Sequence, residues 1–85
     1  MAKNIYVKNA KYLGDFKFEV DFNIGKKVVD IRNVEKVDRR YGKFAIFQPL
    51  RNEEFVKHMQ CDGVTLSKGD VDIAPEILYE ASMLN

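Results

Sequence analysis

Phe16, Phe18, Val20 and Phe22 alternate with Lys17, Glu19 and Asp21, and no other stretch restricts the fold of this chain as tightly. A period of two marks a strand with one buried face and one wet face. Burying each of those apolar side chains contributes about 1.5–3 kcal/mol. The segment is therefore expected to anchor the core, with Phe16, Phe18, Val20 and Phe22 inward and the charged residues outward.

Turn chemistry places its neighbours. Ile5, Val7, Tyr12 and Leu13 suggest a first strand whose alternation slips near Asn9-Ala10, which predicts a bulge or bend there. Gly14-Asp15 turns the chain on one side of the central strand, and Asn23-Ile24-Gly25-Lys26 on the other. Val28, Val29 and Ile31 give β-branched character to a third strand over 27–31. Short turns between successive strands make an antiparallel meander.

The second half alternates short elements. Residues 33–37 fit a single helical turn, and 38–43 read as a charged loop. Phe44-Ala45-Ile46-Phe47 is either a buried strand or a packed connection, and Pro49 ends regular pairing. Asn52 is placed to cap a helix over 53–59, with Glu53 and Glu54 at its positive end and Phe55, Val56 and Met59 on its apolar side. Asp62-Gly63, between Gln60-Cys61 and Val64-Thr65-Leu66, predicts a hairpin with a type I′ turn. Residues 71–73 are short and extended. Pro75 opens a closing helix over 75–84, with Ile77, Ala81 and Leu84 on one stripe and Leu78 beside it. The expected fold is one α+β domain over residues 1–85. It combines an N-terminal three-stranded antiparallel meander, a later β-hairpin and two short helices packed on the sheet.

Eighty-five residues suit a single core, and 46% hydrophobic with 32% charged residues argues against disorder. Cys61 is the lone cysteine, so no intrachain disulfide forms and a reducing compartment is expected. Lys8 and Lys11 interrupt the N-terminal apolar residues, which is unlike a signal peptide, and no apolar run approaches the roughly 18 residues of a membrane span. These features point to the cytoplasm and away from the membrane. The formal charge is only +1, but it is unevenly spread. Up to Arg51 there are twelve Lys and Arg against six Asp and Glu, and beyond it two against seven. Such polarity reflects either a partner surface or attraction between the two halves of one fold.

The usual chemical constellations are missing from the pattern. His58 and Cys61 form a His-x-x-Cys pair, but zinc needs three or four ligands and no further His or Cys exists. Cys61 lacks a base across a cleft and reads as a small buried thiol on a strand. Asp70, Asp72 and Glu76 do not have the spacing of a calcium loop. The glycines are isolated, so none builds a phosphate-cradling loop. No nucleophile, acid–base pair, metal site or cofactor motif emerges, and none of these groups is expected.

One surface feature has functional shape. Arg32, Lys36, Arg39, Arg40 and Lys43 surround Tyr41, and basic groups with an interleaved aromatic suit phosphate contact and base stacking. Glu35 and Asp38 interrupt the cluster, which equally suits a solvated loop or docking to an acidic protein. Arg39, Arg40, Tyr41 and Lys43 are the partner-binding candidates.

From Lys11 onward the order of features resembles the bacterial family of small proteins called domain of unknown function 2442. The stretches that carry the resemblance are Tyr12-Leu13-Gly14-Asp15-Phe16, Phe22-Asn23-Ile24-Gly25 leading into Val28-Val29-Asp30, and Phe47-Gln48-Pro49-Leu50 running into Glu54-Phe55. The most specific is Asp72-Ile73-Ala74-Pro75-Glu76-Ile77-Leu78-Tyr79. Leu66-Ser67 stands where a tryptophan is common in that family. The resemblance implies a sheet covered by short helices and no established reaction. It also implies a partner-binding or regulatory accessory role, of the kind played by one half of a toxin–antitoxin-like pair. A non-enzymatic protein-interaction module is thus the leading expectation. A nucleic-acid-binding domain using 32–43 is the alternative, and a small enzyme of unknown reaction comes third.

Overall fold

The computed structural model describes residues 4–84 and has the expected α+β architecture. Strands β1 (Val7–Gly14), β2 (Lys17–Phe22) and β3 (Gly25–Asp30) form an antiparallel sheet in that order. Phe18, Val20 and Phe22 of β2 are buried, as their alternation requires. The pairing of β1 with β2 shifts register between Val7 and Asn9, where the alternation slips in the sequence.

Phe16 departs from the expected strand. Gly14, Asp15 and Phe16 all have positive φ, at 96°, 53° and 66°. For an aromatic residue that conformation is strained and must be held by its surroundings. The Phe16 N–H donates to the Tyr12 hydroxyl at 3.0 Å, and the Asp15 N–H donates to Glu53 at 3.3 Å. The Tyr12 hydroxyl itself donates to Glu53 at 2.7 Å. Burial and this carboxylate neighbour push the Tyr12 phenol above its ordinary pKa. Three bonds therefore hold the turn, and Phe16 leaves the strand to lie half-buried beneath Arg32.

After β3 the chain runs through a 3-10 turn, Ile31–Asn33, into α1 (Val34–Val37) and α2 (Arg40–Lys43). The span expected to be a charged loop is thus partly helical. A 3-10 helix, Ala45–Arg51, follows and contains Pro49, so residues 44–47 form a packed connection and not a strand. Asn52 then caps α3 (Glu53–Val56), its side chain accepting from the Glu54 N–H at 2.9 Å.

The later hairpin grows into a second antiparallel sheet, with β4 (Gln60–Cys61), β5 (Leu66–Lys68) and β6 (Val71–Ile73) in sequence order. Its first turn is not type I′. The expected turn needs positive φ at both Asp62 and Gly63, and only Gly63 has it. The chain turns about Gly63-Val64 instead, with the Asp62 N–H donating to the Thr65 carbonyl at 3.0 Å. Asp62 accounts for the difference, since its carboxylate accepts from the Val64 and Thr65 N–H groups at 3.0 and 2.9 Å. The two sheets meet at Val7, whose N–H donates to Val64 and whose carbonyl accepts the Cys61 thiol at 3.3 Å.

Pro75 opens the closing helix as expected, but α4 (Pro75–Ala81) stops short of the expected end at 84. Its buried stripe is Leu78 and Ala81, with Ile77 half-buried and Leu84, at 45% exposure, outside the core. Leu78 therefore takes the position assigned to Leu84. The edge-to-face contact of Tyr79 with Phe22, centroids 5.4 Å apart, fixes α4 against the first sheet. One contiguous cluster of buried side chains joins both sheets to the helices. No helix among the described residues is long and apolar enough to cross a membrane.

A candidate basic-rimmed interaction site

The segment that carries most of the basic candidates is built on α1 and α2. Tyr41, expected as an exposed aromatic among cations, is 7% exposed. Its ring packs on Phe47 with centroids 4.5 Å apart, and its hydroxyl accepts from the Ala74 N–H at 3.2 Å. Tyr41 is a core residue and offers no stacking surface. Helical spacing does not account for its burial, because α1 ends at Val37, Asp38 is extended, and Tyr41 belongs to the separate helix α2.

The cations divide into two groups. Arg32 and Arg40 are committed to carboxylates within the fold. Arg32 donates through Nε and Nη2 to Asp30 at 2.9 and 2.7 Å, and its guanidinium lies 5.1 Å from the Phe16 ring centre. Hydrogen bonding to Asp30 raises the Arg32 pKa further above its ordinary value. Burial pushes Asp30 up, but side-chain and backbone hydrogen bonds from Arg32 outweigh it and hold the carboxyl below its usual range. Arg40 donates through Nε to both oxygens of Asp38 at 3.0 Å. Lys36, Arg39 and Lys43 are exposed, and among the described residues none has an ion-pair partner. Arg39 and Lys43 lie one turn apart, joined by the Lys43 N–H to Arg39 carbonyl bond at 3.0 Å.

Two exposed apolar residues continue this surface along the chain. Phe44 is 48% exposed and Ile46 is 50% exposed. The sequence pattern gives them to a buried strand or a packed connection, so they do not figure among the candidates there. The signal that reveals them is the 3-10 conformation, which turns Phe47 inward and leaves Ile46 outside.

A cavity of about 370 Å³ opens beside α1. Phe16, Ile31, Val34, Tyr41 and Leu50 form its apolar lining. Arg32, Lys36 and Arg51 bring positive charge to it, and Glu35 is the carboxylate among them. Arg51 Nη2 donates to Glu35 at 3.0 Å and reaches the Gly42 carbonyl at 3.4 Å. Gly42 leaves room for this arrangement. A Cβ at that position would lie 2.6 Å from the Glu35 Oε2. A second, more open hollow of about 800 Å³ lies between Tyr6, Val64 and Pro75, with Glu76 its one charged side chain among the described residues.

The other polar candidates do not converge. His58 is exposed in the turn that follows α3, and Cys61 is occupied by its bond to the Val7 carbonyl. Asp70, Asp72 and Glu76 are exposed, and no group of three His, Cys, Asp or Glu side chains among the described residues is arranged to hold a metal ion. Comparison with protein-family models, curated proteins and solved structures finds no match to this chain.

Proposed function

We propose that this chain is a protein-interaction module whose basic segment docks an acidic stretch of a partner protein. The observation that carries this reading is the company kept by Lys36, Arg39 and Lys43: three exposed cations with no ion-pair partner among the described residues, followed directly by exposed Phe44 and Ile46. Exposed charge steers an acidic partner toward the surface, and adjoining apolar side chains supply area for contact once it arrives. An aliphatic residue such as Ile46 gains little from a phosphate backbone, which favours a protein over a nucleic acid. The burial of Tyr41 removes the stacking ring on which the nucleic-acid reading rested. A regulatory accessory role in the cytoplasm, as one half of a paired system, is consistent with such a module.

A displayed library of random peptides tests the proposal. Selection on the intact protein is expected to enrich segments rich in Asp and Glu that also contain apolar residues. The same selection on a variant carrying Arg39→Ser, Arg40→Ser and Lys43→Ser should lose that enrichment. Enrichment of the same acidic peptides by the variant would overturn the assignment to this segment. Tight, salt-sensitive binding of oligonucleotides without peptide enrichment would move the function to nucleic acid.

A further inference from the structure

We propose that the cavity beside α1 anchors one large apolar side chain of the acidic partner segment, with Arg51 exchanging Glu35 for a carboxylate next to that side chain. This inference rests on the acidic-partner reading above and gives it a specific pocket. The cavity's 370 Å³ suits a single aromatic or branched side chain, which would lie chiefly against half-buried Phe16 with Ile31, Val34 and Leu50 beneath it. Its cations dictate what must flank that side chain.

The three cations differ in how available they are. Arg32 is held by two hydrogen bonds to Asp30 and covered on one side by Phe16, so it is fixed in place. Lys36 is exposed and has no ion-pair partner among the described residues, so it can meet an incoming carboxylate directly. Arg51 makes one bond to Glu35, and both side chains of that pair are largely exposed, at 60% and 44%. Exposed pairs of this kind hold weakly, so a partner carboxylate can replace Glu35 at small cost. Glu35 stands in the place that the partner's carboxylate would take beside Arg51. Gly42 permits this, since any side chain there would crowd the Glu35 carboxylate.

Calorimetric titration of the full chain with two capped pentapeptides tests the inference. One has Phe at its centre with two Glu on each side, and the other has Ala at the centre. The Phe peptide is expected to bind about tenfold more tightly, as burial of one aromatic side chain allows. Glu35→Gln removes the resident carboxylate, and Gly42→Ala crowds it out. Each should tighten the Phe peptide by about threefold, the scale of an exposed ion pair. Methyl resonances of Ile31, Val34 and Leu50 should move on addition of the Phe peptide and not the Ala peptide.

Equal affinity for the two peptides would overturn the anchoring pocket while leaving the basic segment as the docking surface. Absence of binding by either peptide would overturn both readings. Tighter binding of the Phe peptide with its resonance shifts confined to residues outside the cavity would overturn the location. Weaker binding by Glu35→Gln and Gly42→Ala would overturn the exchange at Arg51.

Discussion

The Tyr41 hydroxyl accepts a hydrogen bond from the Ala74 N–H at 3.2 Å, so a residue of the basic segment fastens the residue that precedes the closing helix. Thirty-three positions separate the two in the chain. Tyr41→Phe keeps the packing on Phe47 and leaves the Ala74 donor without its partner. Losing such a bond costs about 0.5–1.5 kcal/mol. The variant should melt a few degrees lower, and amides at the start of α4 should exchange faster than those of β2. Unchanged exchange in α4 would mean that the hydroxyl holds nothing there.

Phe18 sits at the centre of the fold, 2% exposed, with the Tyr12 ring 5.0 Å away and Val29 opposite it on β3. Phe18→Ala is expected to cost about 3–5 kcal/mol, a large fraction of the stability of a domain this small. Thermal melting followed by circular dichroism reads this directly. A melting point within a degree or two of the parent would show that the cavity collapses or that Phe18 is not in the core.

Leu78 and Ala81 bury α4 against the rest of the molecule, and Tyr79 touches Phe22. A chain ending after Ile73 loses that cover and should expose the apolar face it protected. Light scattering is expected to show aggregation. A shortened chain that stays monomeric and unfolds cooperatively would mean that α4 is not needed to close the core.

The parts of this architecture legible in the sequence are those in which one local signal has one physical meaning. The period of two over 17–22 marks a half-buried strand, Asn52 marks a cap, and Pro75 marks the first turn of a helix. Phe16 was not legible, because its positive φ depends on distant Glu53 bonding the same turn that Tyr12 bonds from close by. The type I′ turn failed for a local reason, as the Asp62 carboxylate caps two N–H groups and shifts the turn by one residue. Tyr41 was hidden by the charges around it, and the extended Asp38 between α1 and α2 breaks any helical spacing from Val34 and Val37. Of the four partner-binding candidates, Arg39 and Lys43 lie exposed with no ion-pair partner among the described residues, Arg40 is exposed but bound to Asp38, and Tyr41 is inside. The cavity depends on residues from four segments, and no sequence pattern places Arg51 beside Glu35.

Asp30 gives the fold an acid-sensitive point. Its carboxyl is held below the usual range, burial being outweighed by hydrogen bonds from Arg32. Hydrogen bonds also lower Asp15 (from Lys17), Asp38 (from Arg40), Glu54 (from Lys57) and Asp62 (from the Thr65 backbone). Each binds a proton more readily in the unfolded chain than in the folded one. Their contribution is therefore complete above the ordinary carboxylate pKa of about 4 and is lost as pH falls below it. Urea midpoints measured from pH 6 downward should stay level and then drop in that acid range. Asp30→Asn should show a shallower drop than the parent, and an identical acid limb would remove Asp30 from the account.

Arg39, Arg40 and Lys43 allow charge to be removed from the basic segment with little cost to the fold. Arg39 and Lys43 have no ion-pair partner among the described residues, and the Arg40–Asp38 pair is exposed on its arginine side. Exposed substitutions usually change stability by no more than about 0.5 kcal/mol, and an exposed pair adds at most about 1 kcal/mol. The triple change to Ser should therefore leave the chain folded, with the loss of stability bounded at about 2.5 kcal/mol. Binding should respond far more. For an acidic peptide, association with the parent should slow as salt is added, because exposed charges act mainly by steering the encounter. The triple variant should associate slowly at every salt concentration and show little further dependence on salt. For an oligonucleotide, the salt slope would instead fall by roughly one for each phosphate contact removed. Stopped-flow association of a fluorescent acidic peptide separates these outcomes. Equal rates for parent and variant across the salt series would leave this segment without a steering role and refute the acidic-partner reading.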